Sequence, residues 1–91
     1  MNFRILYTDS YNRRAARFIK RHPDLLLQYE KTLQLLEANP FHPSLRLHRL
    51  KGALGDLYSV SINISYRITL EFILDEGMII PVDVGKHGEV Y

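Results

Sequence analysis

Residues 57–72, LYSVSINISYRITLEF, contain two runs in which apolar and polar side chains alternate, with a short polar segment between them. The apolar positions of the two runs are Tyr58, Val60, Ile62, Tyr66, Ile68, Leu70 and Phe72. A period of two predicts two strands with one face in the core, and residues 63–65 predict the turn that joins them. The other face is expected to be uncovered and polar, with Ser59, Ser61, Arg67, Thr69 and Glu71 on it.

The segments before this hairpin predict one strand and two helices. Residues 2–7 alternate as a short strand, and Thr8 or Asp9 can cap a helix that runs to about residue 21. A second helix is expected from about Pro23 to residue 38, where Asn39-Pro40 ends it. The expected buried positions of the two helices are Tyr11, Ala15, Phe18 and Ile19, then Leu26, Tyr29, Leu33 and Leu36.

The segments around and after the hairpin complete the predicted fold. Residues 41–46 are expected to form a loop, residues 45–50 can add a short strand, and residues 78–84 form a last strand after a turn at 75–77. Pro81 cannot donate to a ladder, so it should lie at an edge or a bulge. The order β-α-α-β-β-β predicts an α+β fold, with two N-terminal helices packed on one face of a mostly antiparallel β-sheet. We expect a single domain over residues 1–91.

Composition restricts the classes of function. The chain has 91 residues and no cysteine, which excludes disulfides, thiol catalysis and cysteine-ligated zinc. No apolar run approaches the length needed to span a bilayer, so we expect a cytoplasmic protein without membrane contact. Residues 1–51 carry ten Lys and Arg against four Asp and Glu, whereas residues 52–91 carry two against six. This asymmetry favours a polyanionic partner near the first half, although a solvated basic helix would give the same pattern.

The residues that can carry chemistry form a histidine–arginine–tyrosine set. There is no serine-hydrolase turn, no glycine-rich phosphate loop, and no third ligand to join His42 and His48 around a metal ion. The remaining candidates are His48, Arg67, His87 and Tyr91. Histidine can exchange protons, arginine can stabilise charge on a phosphate, and tyrosine can stack on a base, which together suit RNA cleavage. Structural roles remain open for each residue, so these residues alone allow an RNA enzyme or a binding module.

Three sequence motifs resemble those of the RelE/ParE superfamily of bacterial toxins from type II toxin–antitoxin systems. They are Leu50-Lys51-Gly52, the Tyr-Arg-Ile of residues 66–68, and VGKHGEVY at residues 84–91. The resemblance implies a RelE-like fold and a metal-independent, cofactor-free endoribonuclease that cleaves messenger RNA, usually in the ribosomal A site.

The resemblance also implies roles for individual residues. Arg67 matches the phosphate-stabilising arginine of the middle strand, and His87 matches the catalytic histidine of the YafQ-like branch. Tyr91 matches the terminal aromatic residue that orients or stacks on the substrate, and His48 matches a histidine before the L-K-G segment. Further cations expected to bind the substrate are Lys51, Arg49 and Lys86.

The resemblance leaves two alternatives and names the partners. RelE-type toxins carry lysines where Ser59 and Ser61 stand here, which moves the expected acid–base work to His48 and His87. ParE members, which inhibit gyrase without cutting RNA, generally lack the terminal histidine–tyrosine pair; an inactive, antitoxin-binding relative is the other alternative. The implied partners are a cognate antitoxin and messenger RNA on the ribosome, with the basic first helix contacting the antitoxin or 16S ribosomal RNA through Arg13, Arg17 and Arg21.

Overall fold

The computed structural model describes residues 3–50 and 57–86 and has an α+β architecture. Its helices and strands are β1 (Arg4–Ile5), α1 (Asp9–Arg21), α2 (Leu26–Ala38), β2 (His48–Arg49), β3 (Leu57–Ser61), β4 (Tyr66–Ile73) and β5 (Met78–Lys86). The strands form one sheet in the order β1-β5-β4-β3-β2. Neighbouring strands are antiparallel except for β1 and β5, which are parallel. The predicted fold class is therefore confirmed, with β2 as the short strand expected within residues 45–50.

The first helix begins and ends where its local signals place it. Thr8 is the N-cap, and its hydroxyl accepts a hydrogen bond from the Tyr11 backbone N–H at 3.1 Å. His22 ends the helix, because Pro23 follows and disfavours helical geometry in the residue before it. Tyr11 and Phe18 are buried, and the face they define packs on the sheet as predicted.

The second helix corrects two expectations. Residues Pro23–Leu25 form a 3₁₀ turn, and α2 begins only at Leu26. Leu26 is 41% exposed, so its predicted place in the buried face is wrong. Thr32 is buried instead, between Tyr29 and Leu36, and its hydroxyl donates to the Gln28 carbonyl at 2.8 Å. This bond within the helix removes the cost of burying an unpaired hydroxyl.

The last strand contains a bulge next to its proline. Thr69 of β4 is opposite Asp83, but the next residue, Leu70, is opposite Pro81, so Val82 is an extra residue in β5. Pro81 lies next to this irregularity and beyond the two residues of β5 that pair with β1. The predicted edge or bulge position of Pro81 is confirmed, and it follows from the missing N–H of proline.

The polar face of the sheet differs from the open surface that alternation predicts. Ser59 is 0% exposed and Thr69 is 3% exposed, although Glu71 is exposed and Ser61 and Arg67 are half-buried. Ser59 and Thr69 are register partners near the middle of the sheet. Both have short side chains, and the guanidinium of Arg67 is 3.3 Å from the Ser59 hydroxyl. The expectation of an uncovered face is therefore wrong at its centre.

A hydrogen bond between two tyrosines joins the helices. The hydroxyl oxygens of Tyr11 and Tyr29 are 2.6 Å apart, and both rings are buried. Burial raises the pKa of both hydroxyl groups above its ordinary value. Each hydroxyl thus stays protonated at neutral pH and satisfies the other inside the core.

None of the helices in the described part of the chain is long and apolar enough to cross a membrane.

We expect the Tyr11–Tyr29 pair to behave as one unit in unfolding experiments. Tyr11→Phe leaves the Tyr29 hydroxyl buried without its partner, which should lower the free energy of unfolding by about 1–3 kcal/mol. Because Tyr11→Phe/Tyr29→Phe removes both hydroxyls, it should cost less than the sum of the two single changes. Urea unfolding of the four proteins measures this difference; additive effects would show that the bond between the tyrosines is unimportant.

Candidate active site

His48 and Arg67 lie on the same face of the sheet as Ser59, opposite the helices. His48 of β2 is the register partner of Ser59 in β3, and directly opposed residues of antiparallel strands share a face. Arg67 is opposite Ser61, which is two residues from Ser59 on the same face. The long side chain of Arg67 reaches diagonally, and its Nη1 donates to the Ser59 hydroxyl at 3.3 Å. Two of the predicted catalytic residues therefore lie on one face of the sheet.

The turn between β3 and β4 sets this alignment. The side-chain oxygen of Asn63 accepts hydrogen bonds from the backbone N–H of Ser65 at 2.8 Å and of Tyr66 at 2.9 Å. Asparagine commonly closes turns in this way, because its side chain replaces a backbone acceptor. The closed turn pairs Ser61 with Arg67 and Ser59 with Thr69.

The ring of His48 is held by a backbone carbonyl. Its Nδ1 is 3.1 Å from the carbonyl oxygen of Arg46, and the side chain is otherwise exposed. A carbonyl can only accept, so Nδ1 must carry the proton and the neutral ring leaves Nε2 unprotonated. Arg46 itself has a left-handed backbone with φ 51° and ψ 46°, at the end of the 3₁₀ turn Pro43–Leu45. This uncommon conformation in a non-glycine residue directs the carbonyl that orients His48.

Two predicted substrate-binding cations lie on the other face by register. Arg49 is opposite Tyr58, and Lys86 is opposite Tyr66. The residues that follow these two tyrosines in the chain, Ser59 and Arg67, belong to the site described above. Since successive residues of a strand point to opposite faces, the sheet separates Arg49 and Lys86 from Arg67. His87, Tyr91 and Lys51 lie outside the described residues, and their assignment to the site stays a prediction.

Sequence reasoning missed two features of this region. The first is the hydrogen bond that Ser59 accepts from Arg67. Counting outward along both strands from the turn at residues 63–65 would identify this pair. The second feature is a cleft of about 420 Å³ between α1 and β5. Its cationic residues are Arg14, Arg17, Arg21 and Lys86.

Within residues 3–50 and 57–86, no group of three or more histidine, aspartate or glutamate side chains is placed to hold a metal ion.

No protein-family model matches the sequence, and no curated protein sequence matches it significantly. Solved structures do match. The Escherichia coli DinJ–YafQ toxin–antitoxin complex contains a chain with a TM-score of 0.77 and 16% identity, over 100% of this chain and 99% of that one. A metal-bound toxin from Helicobacter pylori gives 0.71 and 23% identity over 100% of both chains. A YoeB/ParE toxin from Agrobacterium tumefaciens gives 0.71 and 15% identity, over 93% of this chain and 99% of that one.

These similarities extend over nearly the whole length of each chain, at sequence identities below 25%. The chain therefore has the fold of the YafQ, YoeB and ParE toxins, which confirms the RelE-like fold that the sequence motifs imply.

We expect the two histidines near the 3₁₀ turn Pro43–Leu45 to be opposite tautomers when neutral. His48 donates from Nδ1 to a carbonyl, whereas Nδ1 of His42 accepts from the Ser44 backbone N–H at 3.1 Å and must be unprotonated. Long-range ¹H–¹⁵N NMR spectra of the neutral rings should show Nδ1–H for His48 and Nε2–H for His42. Nε2–H at His48 would contradict the orientation of its ring, and Nδ1–H at His42 would contradict its hydrogen bond from Ser44.

Proposed function

We propose that the chain is the toxin of a type II toxin–antitoxin system and that it cleaves messenger RNA on the ribosome. The observation that carries this proposal is the hydrogen bond from Arg67 to Ser59 beside His48, on a sheet face of a toxin fold. Arginine keeps its positive charge over the whole working pH range and is suited to binding a phosphodiester. His48 adds an exposed imidazole, a side chain that can accept or donate a proton in catalysis.

The proposed reaction uses the 2′-hydroxyl of the RNA as the nucleophile. The unprotonated Nε2 of His48 removes the hydroxyl proton, and the 2′-oxygen attacks the adjacent phosphorus. Arg67 stabilises the additional negative charge of the pentavalent phosphorane. His87 in its protonated form donates to the departing 5′-oxygen, and Tyr91 stacks on the substrate. The products are a 2′,3′-cyclic phosphate and a free 5′-hydroxyl, so the step balances without a metal ion or cofactor.

Ser59 is proposed to position the catalytic arginine. Its hydroxyl is fully buried and accepts from Nη1, which restricts the orientation of the guanidinium. A restricted group loses less conformational entropy when it binds the phosphate. This arrangement assigns Ser59 a role even though RelE-type toxins carry a lysine at the corresponding place.

We propose an antitoxin as the protein partner, as in the DinJ–YafQ complex. Helix α1 presents Arg13, Arg17 and Arg21 as exposed residues, and their charge suits an acidic antitoxin segment or 16S ribosomal RNA. Antitoxin segments that fold on binding can cover a large surface of this kind. The proposed place of action is the cytoplasm, where ribosomes and antitoxin are available.

Brief induction of the chain in bacterial cells should produce new 5′ ends on messenger RNA within minutes. The reason is that Arg67 and His48 supply charge stabilisation and proton transfer for strand cleavage. Primer extension on abundant transcripts measures these ends, and co-expression of the antitoxin should abolish them. Intact messenger RNA together with an induced DNA-damage response would instead support gyrase inhibition of the ParE type. Harmless expression without an antitoxin would contradict the assignment as a toxin.

Single-turnover cleavage on programmed ribosomes should rank the site residues. Arg67→Ala should lower the rate by about 10²–10³, because charge on the phosphorane loses its stabilising cation. His87→Ala should lower it by about 10²–10⁴, and Tyr91→Ala should weaken stacking by about 1–3 kcal/mol. His48→Ala should reduce the rate without a loss of thermal stability.

The matched control for these variants is Lys31→Ala, which removes an exposed charge from α2. It should cut at the parent rate, and all variants should be compared by thermal melting. If Arg67→Ala and His87→Ala are folded and both cleave at the rate of the parent protein, the site is assigned to the wrong residues.

A further inference from the structure

The cleft between α1 and β5 has cationic walls. Arg14, Arg17 and Arg21 are spaced by three and four residues, so they lie along one side of the helix. Lys86 at the end of β5 contributes a fourth permanent positive charge. Among the described residues that line the cleft, one carboxylate, that of Asp83, opposes these four charges.

One arginine already neutralises this carboxylate. Nη1 of Arg14 lies 3.8 Å from Asp83 Oδ2 and donates to the Val82 carbonyl at 3.3 Å. Among the described residues, Arg17, Arg21 and Lys86 make no ion pair with a carboxylate. They are exposed and lie on the same cleft. The cleft therefore has an excess of positive charge that a phosphate group would balance.

Three aromatic rings pack together in the same cleft. The ring centroids of His22 and Tyr66 are 4.7 Å apart, and Phe18 lies 4.9 Å from His22 and 5.4 Å from Tyr66. Phe18 is buried, whereas His22 and Tyr66 are half-buried and keep part of their surface accessible. Aromatic rings beside arginine and lysine are typical of sites that bind single-stranded nucleic acid, because bases stack on the rings while phosphates meet the cations.

The size of the cleft favours a nucleotide over a protein segment. A volume of about 420 Å³ is in the range of small-ligand sites. An acidic segment that folds on binding would need a far larger surface to offset its ordering cost. A base with its phosphate fits the cleft and matches both of its chemical features.

We propose that this cleft binds one nucleotide of single-stranded RNA, with its phosphate on Arg17, Arg21 and Lys86 and its base against His22 and Tyr66. This inference rests on the proposed function, since it assigns the same RNA substrate a second contact. The cleft lies on the helix side of the sheet, and Arg67 lies on the other face. The RNA would therefore pass around the open edge of β5 between the two contacts.

The test is fluorescence anisotropy with a short single-stranded RNA whose 2′-hydroxyls are all methylated. Such RNA lacks the attacking 2′-hydroxyl and cannot be cleaved by the proposed reaction. Its binding can therefore be measured whether or not the chain is a nuclease. Arg17→Gln/Arg21→Gln should weaken binding at low salt by at least tenfold. It should also flatten the plot of log K against log salt by about 0.7, since the two arginines share one phosphate and each lost phosphate contact contributes about 0.7 for a single strand.

The matched control is Arg4→Gln/Lys31→Gln, which removes the same charge from exposed residues that do not line the cleft. It should bind with nearly the parent affinity and the parent salt slope. Tyr66→Leu should weaken binding by about 5- to 150-fold through lost stacking, with little change in salt slope. Circular dichroism melts verify that each variant is folded.

Equal binding by the two double variants, or no binding of the RNA by the parent, would overturn the proposal. Tighter binding of duplex RNA than of the single strand would also overturn it, because a paired base cannot stack on the rings. Polyglutamate that binds more tightly than the RNA and displaces it would identify the cleft as a protein-binding site. Binding as expected together with intact messenger RNA in cells would contradict only the nuclease assignment.

Discussion

The β3–β4 hairpin is closed by the side-chain amide of Asn63, and the arrangement of the site face depends on that closure. Two backbone N–H groups donate to its Oδ1, which fixes the pairing of every residue in the two strands. A slip of one residue would turn each side chain of one strand to the opposite face. Val60 and Ser59 would then exchange places, and Arg67 would lose its hydroxyl acceptor. Hydrophobic burial and site geometry thus support the same register.

The bulge in β5 connects the helices to the sheet. The extra residue, Val82, interrupts the ladder, and its carbonyl accepts a hydrogen bond from Arg14 of α1. Asp83 next to it pairs with the same arginine. One irregularity therefore provides both a backbone acceptor and a carboxylate for the helix. The cleft forms beside this contact, so the bulge positions its cationic wall relative to Lys86.

The sequence predicts the parts of this structure that depend on local signals. The cap at Thr8, the stop before Pro23 and the alternation of residues 57–72 identify α1 and the central hairpin. The 3₁₀ turn at Pro23–Leu25 escapes prediction because proline suits the first turn of either kind of helix. Burial of Ser59 and Thr69 depends on neighbours from other strands, which alternation within one strand does not describe.

The candidate site likewise combines features that the sequence predicts with features that depend on contacts between distant segments. The motif resemblance predicts His48 and Arg67 as site residues, and strand pairing places both on the same sheet face as Ser59. The cleft is formed by residues far apart in the chain, such as Arg17 and Lys86, so no local pattern predicts it. His87 and Tyr91 remain predictions from the motif alone.

The described sheet ends on both sides in strands of only two residues, Arg4–Ile5 and His48–Arg49. Each of these strands carries an exposed arginine. Long, uncharged edge strands are templates on which other chains add further strands, and short charged ones are poor templates. Arg14 also donates to the Val82 carbonyl, in a part of β5 that does not pair with β1. Addition of a further strand at either of these two short strands is therefore disfavoured.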